Sequence, residues 1–397
     1  MLLAVVVAFA ATRALLFAGA HGEVSFRNSY DVEIYAGWGS EVVDRGRTPY
    51  SEVAIEYPPG MLPFVAAPAL GEDAASYRDR FIVMMVLVDV LAFIGLVSTS
   101  LRWGSLLGPA LWVAGTLLLG PVIYLRLDLV PAALTVWAVE RAAAGGWAGT
   151  GVALGAGLMA KVYPIVLLPA ALAASARRAR TALGAATATV LFSLPFAGSA
   201  AELWRSVLGY HSARGIHAES SWGIGLAIAR YLGYPSVPSY SYGAMHVEST
   251  VSSALKGPAM AVSMVVLVGA SAWVLRQLRP GDATLMPVAA FGTLALVMAA
   301  GTVFSPQFVV WLVALGAAGL CSGANLRRAG WWLGAVLAIA ALTQLLFPYL
   351  IGRFLEGDPA AVSVALARNL LVAIAGVGAL ASLRPTPAGT AGPGGEG

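Results

Sequence analysis

Cysteine is all but missing from this chain. Cys321 stands alone, which excludes an intramolecular disulfide and any cysteine-based metal cluster. It ends an apolar run and reads as a packing residue. Charge is nearly as scarce. Only 11% of the 397 residues are Asp, Glu, Lys or Arg, against about 25% in a soluble domain. With 59% hydrophobic residues, that balance places the chain in a bilayer. The formal net charge of +4 is carried mostly by arginines scattered between apolar runs, so no nucleic-acid footprint is expected. Arg far exceeds Lys, and Ala and Gly abound, which fits a GC-rich bacterium. No internal repeat is visible.

A helix needs about 20 apolar residues to cross a bilayer. Apolar runs between charges predict an all-α polytopic protein of about twelve spans. They lie near 1–20, 81–100, 104–120, 122–140, 147–160, 162–176, 181–197, 258–276, 283–303, 307–322, 330–347 and 361–382. The first run is expected to be retained. Ala18-Gly19-Ala20 faintly suggests a cleavage site, but a basic start is lacking and Arg13 interrupts the apolar stretch. The short pair 147–160 and 162–176 is split by Lys161-Val162-Tyr163-Pro164, where proline ends a helix and frees backbone groups. Merging the pair into one kinked span would put Arg141 and the arginines at 177, 178 and 180 on opposite sides. With twelve spans and both termini inside, every inner connection is basic: Arg102, Arg141, Arg177, Arg178, Arg180, Arg276, Arg279, Arg327, Arg328 and Arg384.

The outer side then receives most of the acids and both long loops, about 21–80 and 198–257, each expected to carry short amphipathic helices. Residues 1–384 form one membrane domain in this reading. The tail 385–397, rich in Gly, Pro and Thr, is expected to be disordered and cytoplasmic.

Several residues are out of place in so apolar a chain. Asp31 follows the first span and precedes Val32 to Arg45, a plausible short amphipathic helix. Asp31 or Ser29 could cap that helix, or Asp31 could serve chemistry at the membrane edge. Glu33 makes an Asp-x-Glu pair that could bind a divalent ion, although positions i and i+2 of a helix face apart. Tyr35, Trp38, Tyr50 and Tyr57 fit an interfacial aromatic belt or sugar stacking. Arg126 and Asp128 sit near the outer end of a span, where charge is paired or functional. They are too close in sequence to share a helical face. Lys161 snorkels to the interface or offers a point charge to a phosphate. The run Tyr210-His211-Ser212-Ala213-Arg214-Gly215-Ile216-His217-Ala218-Glu219 holds two His, an Arg and a Glu, but its spacing matches no strong zinc pattern. Ser305 and Pro306 read as the N-cap and first residue of a helix, leaving Gln307 to face a cavity or a neighbouring helix. Arg353 is a weaker phosphate candidate. Asp89, inside a span, is the main feature favouring a transporter.

Gly46-Arg47-Thr48-Pro49-Tyr50, Glu56-Tyr57-Pro58-Pro59-Gly60, Arg126-x-Asp128, Lys161-Val162-Tyr163-Pro164, the His211-to-Gly215 run with Glu219-Ser220, and Ser305-Pro306-Gln307 together resemble the GT-C membrane glycosyltransferases, most closely glycosyltransferase family 87. The resemblance implies a GT-C-like helical bundle. It also implies inverting transfer of a sugar, most readily mannose (a hexosyltransferase), from a polyprenyl-phosphate donor to a glycan or glycolipid acceptor. The reaction would occur on the outer face of a bacterial cytoplasmic membrane. Asp31 matches the family's first-loop carboxylate and is the expected catalytic base. Lys161, Arg214, Arg126 and His211 are the expected donor-phosphate ligands. Glu33, Tyr35, Trp38, Tyr50, Tyr57, Asp128, Glu219 and Gln307 are expected substrate contacts. No metal or other cofactor is expected. The rivals are an arabinosyltransferase of the same fold and a twelve-span transporter or lipid flippase. Against transport, no half-to-half repeat is evident, and the polar residues gather at one face.

Overall fold

A computed structural model describes residues 1–27, 30–71 and 74–384. The expected tail at 385–397 lies outside the described residues, as does Ser29. The chain is 78% helical and 4% strand, so the all-α expectation becomes mostly helical. Helical segments occupy each of the apolar runs. Seven helices are long and apolar enough to cross a membrane: Leu2–Ala20, Tyr77–Trp103, Leu107–Tyr124, Arg178–Gly209, Thr250–Gln277, Gly323–Glu356 and Pro359–Ala381. Four shorter apolar helices accompany them: Trp147–Ala160, Tyr163–Ala174, Met286–Ala300 and Pro306–Leu320.

Length and burial divide the helices by position. The short Val309–Leu320 helix is buried at every residue, and Met286–Ala300 is buried along most of its length. A helix apolar on all sides must be surrounded by other helices or by lipid. These two take the first solution. Leu2–Ala20 and Thr250–Gln277 take the second: they leave Leu3, Leu15, Met264, Val265 and Val268 widely exposed. So much apolar surface on a rim marks a membrane protein.

Trp147–Ala160 packs tightly along Arg178–Ser193. A Cβ added at Gly151 would lie 2.0 Å from the Thr181 carbonyl oxygen, and one at Gly155 2.4 Å from that of Ala185. Small residues four apart let two backbones meet, as is common between membrane helices. Trp147–Ala160 then stops at the expected break. Lys161 is extended, with φ −157° and ψ 142°, and a 3-10 turn with Pro164 near its start resumes the helix at Tyr163–Leu167. Gly60 rests on this break: a Cβ there would lie 2.7 Å from the Met159 carbonyl carbon. The Tyr57-Pro58-Pro59-Gly60 turn is thus seated beside Lys161.

The two long loops meet at one end of the bundle. In the first, Tyr30–Val43 is helical, where the sequence suggested Val32 to Arg45. In the second, Ser206 Oγ donates to the Ile55 carbonyl at 2.9 Å, and Phe196, before it, meets Tyr50 edge-on at 5.2 Å. The second loop also holds what the helical reading missed, a small antiparallel sheet. Its strands are β1 (Ile216–His217), β2 (Val237–Ser241) and β3 (Ala244–Glu248), in the order β1-β3-β2. Tyr240 opposes Met245 and Ser241 opposes Ala244 across the hairpin. Ile216 and Val247 pack with Leu346, Phe354 and Val362 in a second core beneath the loop. At the opposite end of the Ala74–Trp103 helix, Arg102 and Arg141 both pair with the buried Glu140.

Candidate active site

Asp31 lies in the first turn of the Tyr30–Val43 helix rather than at its cap. Its carboxylate reaches across to the Arg126 guanidinium in an ion pair. The Arg126 side chain is 9% exposed and that of Asp31 21%, so the acid retains a path to solvent. Arg126 leaves the bundle in the irregular stretch between the 3-10 turn Gly120–Tyr124 and the helix Leu129–Ala143. Two residues on, Asp128 accepts from Lys161 Nζ at 2.8 Å. Only 1% of the Asp128 side chain and 14% of that of Lys161 are exposed. The helix break therefore places Lys161 against the one neighbouring turn that carries two further charges. Asp31, Arg126 and Asp128 act on one another electrostatically.

Three aromatic rings surround the Lys161 ammonium: Phe308 at 5.0 Å, Tyr57 at 5.2 Å and Trp311 at 5.3 Å. A cation is stabilised by ring faces at such distances. Tyr57 is buried and continues inward to Tyr35, whose hydroxyl lies 3.4 Å from its own. Trp38 packs on both, at 5.8 Å from Tyr35 and 6.0 Å from Tyr57. Tyr50 is buried, and its hydroxyl donates to the Tyr57 carbonyl at 2.9 Å. Tyr35, Tyr50 and Tyr57 thus form the wall that fixes Lys161.

The second loop contributes Arg214. Its guanidinium lies 5.5 Å from the Tyr210 ring centre, and its Nε is buried without a hydrogen-bond partner among the described residues. A buried unpaired donor is costly and favours an arriving acceptor. Tyr210 and Arg214 both bear on Glu56, a carboxylate absent from the expected site. Burial lifts the Glu56 carboxyl above its usual range, opposed by the Tyr210 hydrogen bond and by the nearby Arg214 and Lys161 charges. The Glu56-Tyr57-Pro58 motif held the signal, but a glutamate before a turn reads as solvent-facing until the second loop covers it.

Most of the other expected contacts lie elsewhere. Glu219 is buried against Arg368, whose Nη1 donates to its carboxylate at 2.8 Å, while Asn369 donates to its carbonyl at 3.0 Å. That carboxylate anchors the second loop to the Pro359–Ala381 helix. Glu33 is exposed on the loop helix, near the Arg78 charge. Gln307 is half-buried in the turn Pro306–Phe308 beside the Lys161 cage. His211 belongs to the short helix Tyr210–Ala213, but its side chain lies outside what is described. Arg353 pairs with Asp358 at 2.8 Å. Asp89 is fully buried and accepts from Arg13 twice, at 2.8 and 3.0 Å, and from Trp112 and Tyr124 at 2.7 Å each. Its acceptor capacity is largely committed to the fold, which removes the chief support for transport.

The family model of glycosyltransferase family 87 matches residues 55–306. The chain belongs to glycosyltransferase family 87. It is a glycosyltransferase, and the matched stretch carries Glu56, Arg126, Asp128, Lys161 and Arg214, while Asp31 precedes it. No curated protein matches the chain.

Proposed function

We propose that this family 87 enzyme takes a sugar, mannose in the first instance, from a polyprenyl-phosphate donor and transfers it with inversion to a glycan or glycolipid. The reaction is placed on the outer face of a bacterial cytoplasmic membrane. Twelve crossings by residues 1–384, with both termini inside, complete this reading. The observation that carries it is the convergence of Asp31, Arg126, Asp128 and Lys161 at the end of the bundle where the two long loops meet. An anionic lipid-borne donor needs cations at the membrane edge, and a hydroxyl nucleophile needs a base.

In the displacement, the acceptor hydroxyl attacks the anomeric carbon and passes its proton to Asp31. The bond from that carbon to the phosphate oxygen breaks, and the donor leaves as polyprenyl monophosphate. Lys161, Arg214 and Arg126 face the charge that grows on the leaving oxygens, where preorganised cations are most effective. Asp31 and Arg126 neutralise each other in their ion pair. A donor phosphate drawing on Arg126 releases the carboxylate to act as base, so donor binding prepares the nucleophile's partner. His211 is assigned to the donor phosphate, and Trp38 and Gln307 to the sugar.

The test follows label from polyprenyl-phosphate mannose into a glycolipid extract, using membranes that carry the wild type or Asp31→Asn. Transfer by the wild type and a loss of about 10²–10⁴ in the variant are expected for a general base. Full activity in the variant would sink the assignment of Asp31. Transfer from the arabinose donor alone would replace mannose.

A further inference from the structure

The β2–β3 hairpin turns through Tyr242 and Gly243, with φ of 50° and 66°. Two positive φ values in a tight hairpin turn favour Asn or Gly, because a Cβ crowds the following carbonyl. Tyrosine is a poor choice there. Tyr50 is the other non-glycine residue with positive φ among the described residues. Its ring is 5% exposed and its hydroxyl is hydrogen-bonded inside the protein, so packing offsets the strain. Tyr242 is less enclosed: it is 43% exposed, and its ring meets Tyr210 edge-on at 5.3 Å. Strain at a residue so open to solvent points to use of the ring.

The turn is also fixed over the site. The Tyr210 hydroxyl lies within hydrogen-bond distance of two acceptors and shares its one proton between them: the Tyr242 carbonyl, at 2.5 Å, and the Glu56 carboxylate. Two residues back, Tyr240 is 55% exposed and meets the Tyr30 ring at 5.9 Å, immediately before Asp31. Of the aromatics expected from sequence to touch sugar, Tyr35, Tyr50 and Tyr57 are buried and Trp38 is half-buried. Tyr30, Tyr240 and Tyr242 are exposed at this end of the bundle, and Tyr30 adjoins Asp31.

We propose that the hairpin tip, Tyr242 with Tyr240, is the subsite for the acceptor, and that its occupant is a saccharide. A tyrosine offers an apolar face to the C–H side of a sugar ring and a hydroxyl to its edge. The donor's phosphate is drawn to the more deeply placed cations, and its lipid chain to the apolar rim, so the exposed rings are left to the water-side reactant. This deepens the transferase reading and rests on it.

The probe is mannotetraose, titrated calorimetrically into the detergent-solubilised full chain. Tyr242→Asn relaxes the turn and removes the ring, whereas Tyr242→Phe keeps it. Wild type and Tyr242→Phe are expected to bind. Tyr242→Asn is expected to bind about five- to tenfold more weakly, the loss of one aromatic contact, with thermal stability equal or higher. No binding by the wild type, or equal binding by Tyr242→Asn, overturns the subsite. The label-transfer assay separates the two readings. Transfer that Tyr242→Asn leaves unchanged at limiting extract rejects the subsite and keeps the transferase. Binding weakened by Tyr242→Asn, with no transfer from any polyprenyl-phosphate sugar, keeps the subsite and rejects the donor.

Discussion

Asp89 and Asp31 are both carboxylates paired with an arginine, and exposure separates their roles. Asp89 is sealed among Arg13, Trp112 and Tyr124. Removing one partner of a buried pair strands a charge and costs about 3–5 kcal/mol. Arg13→Met is expected to lower the thermal unfolding midpoint in detergent markedly, while the fraction that stays folded keeps its specific activity. Asp31→Asn should show the reverse: an unchanged midpoint and lost transfer. His217 carries a second residue-scale expectation. Burial, reinforced by nearby Arg214 and His246, depresses its pKa well below the ordinary 6.5. The unfolded chain therefore binds the proton more readily, and this group's contribution to stability is full above about pH 6.5 and declines below it. Midpoints measured between pH 7.5 and 5.5 should fall, and His217→Asn should flatten that decline. Glu56, with its raised pKa, acts in the opposite sense: its contribution is present at acid pH and lost as pH rises through the folded value.

At the scale of elements, the contact between Trp147–Ala160 and Arg178–Ser193 depends on missing side chains. Gly155→Val places a branched side chain where a Cβ already meets the Ala185 carbonyl at 2.4 Å. It should sharply reduce the folded monomer recovered by size exclusion. Gly269, in the helix Thr250–Gln277, has nothing within 4 Å of an added Cβ. Gly269→Ala should be neutral or stabilise by up to about 1 kcal/mol through helix propensity. The break at Lys161 was legible because Pro164 lacks the N–H that a helix interior uses and follows a lone lysine in an apolar run. The β2–β3 hairpin was not, although Gly243 and the alternation around it were present. Short polar strands become stable only when β3 pairs on both sides, which requires β1 from more than twenty residues away.

For the whole molecule, arginine placement predicts which side each loop faces. Cys321 is fully buried and leaves a clean background for labelling. Ser51→Cys, in the exposed part of the first loop, should react with a membrane-impermeant maleimide in intact cells. Ala144→Cys, beside the Arg141 and Glu140 pair, should react only after permeabilisation. The opposite pattern would reverse the outer assignment of the site.

The sequence by itself determined that this is a membrane protein, because charge at 11% leaves too little polar surface for water. It marked Arg126, Asp128 and Lys161, because an ionisable group in an apolar run demands a partner or a task, while Asp31, in a loop, was marked by the resemblance to family 87. It left the pairing open, since Arg126 and Asp128 are near neighbours that turn to different partners. Only the tertiary structure sent Arg126 to Asp31 and Asp128 to Lys161, walled in Tyr35, Tyr50 and Tyr57, and folded Glu56 under the second loop. It also separated Glu219, committed to Arg368, from the Glu56 that faces the site. Each of these outcomes depends on which surface a distant segment covers, and burial of that kind is decided by the packing of the whole chain rather than by local sequence.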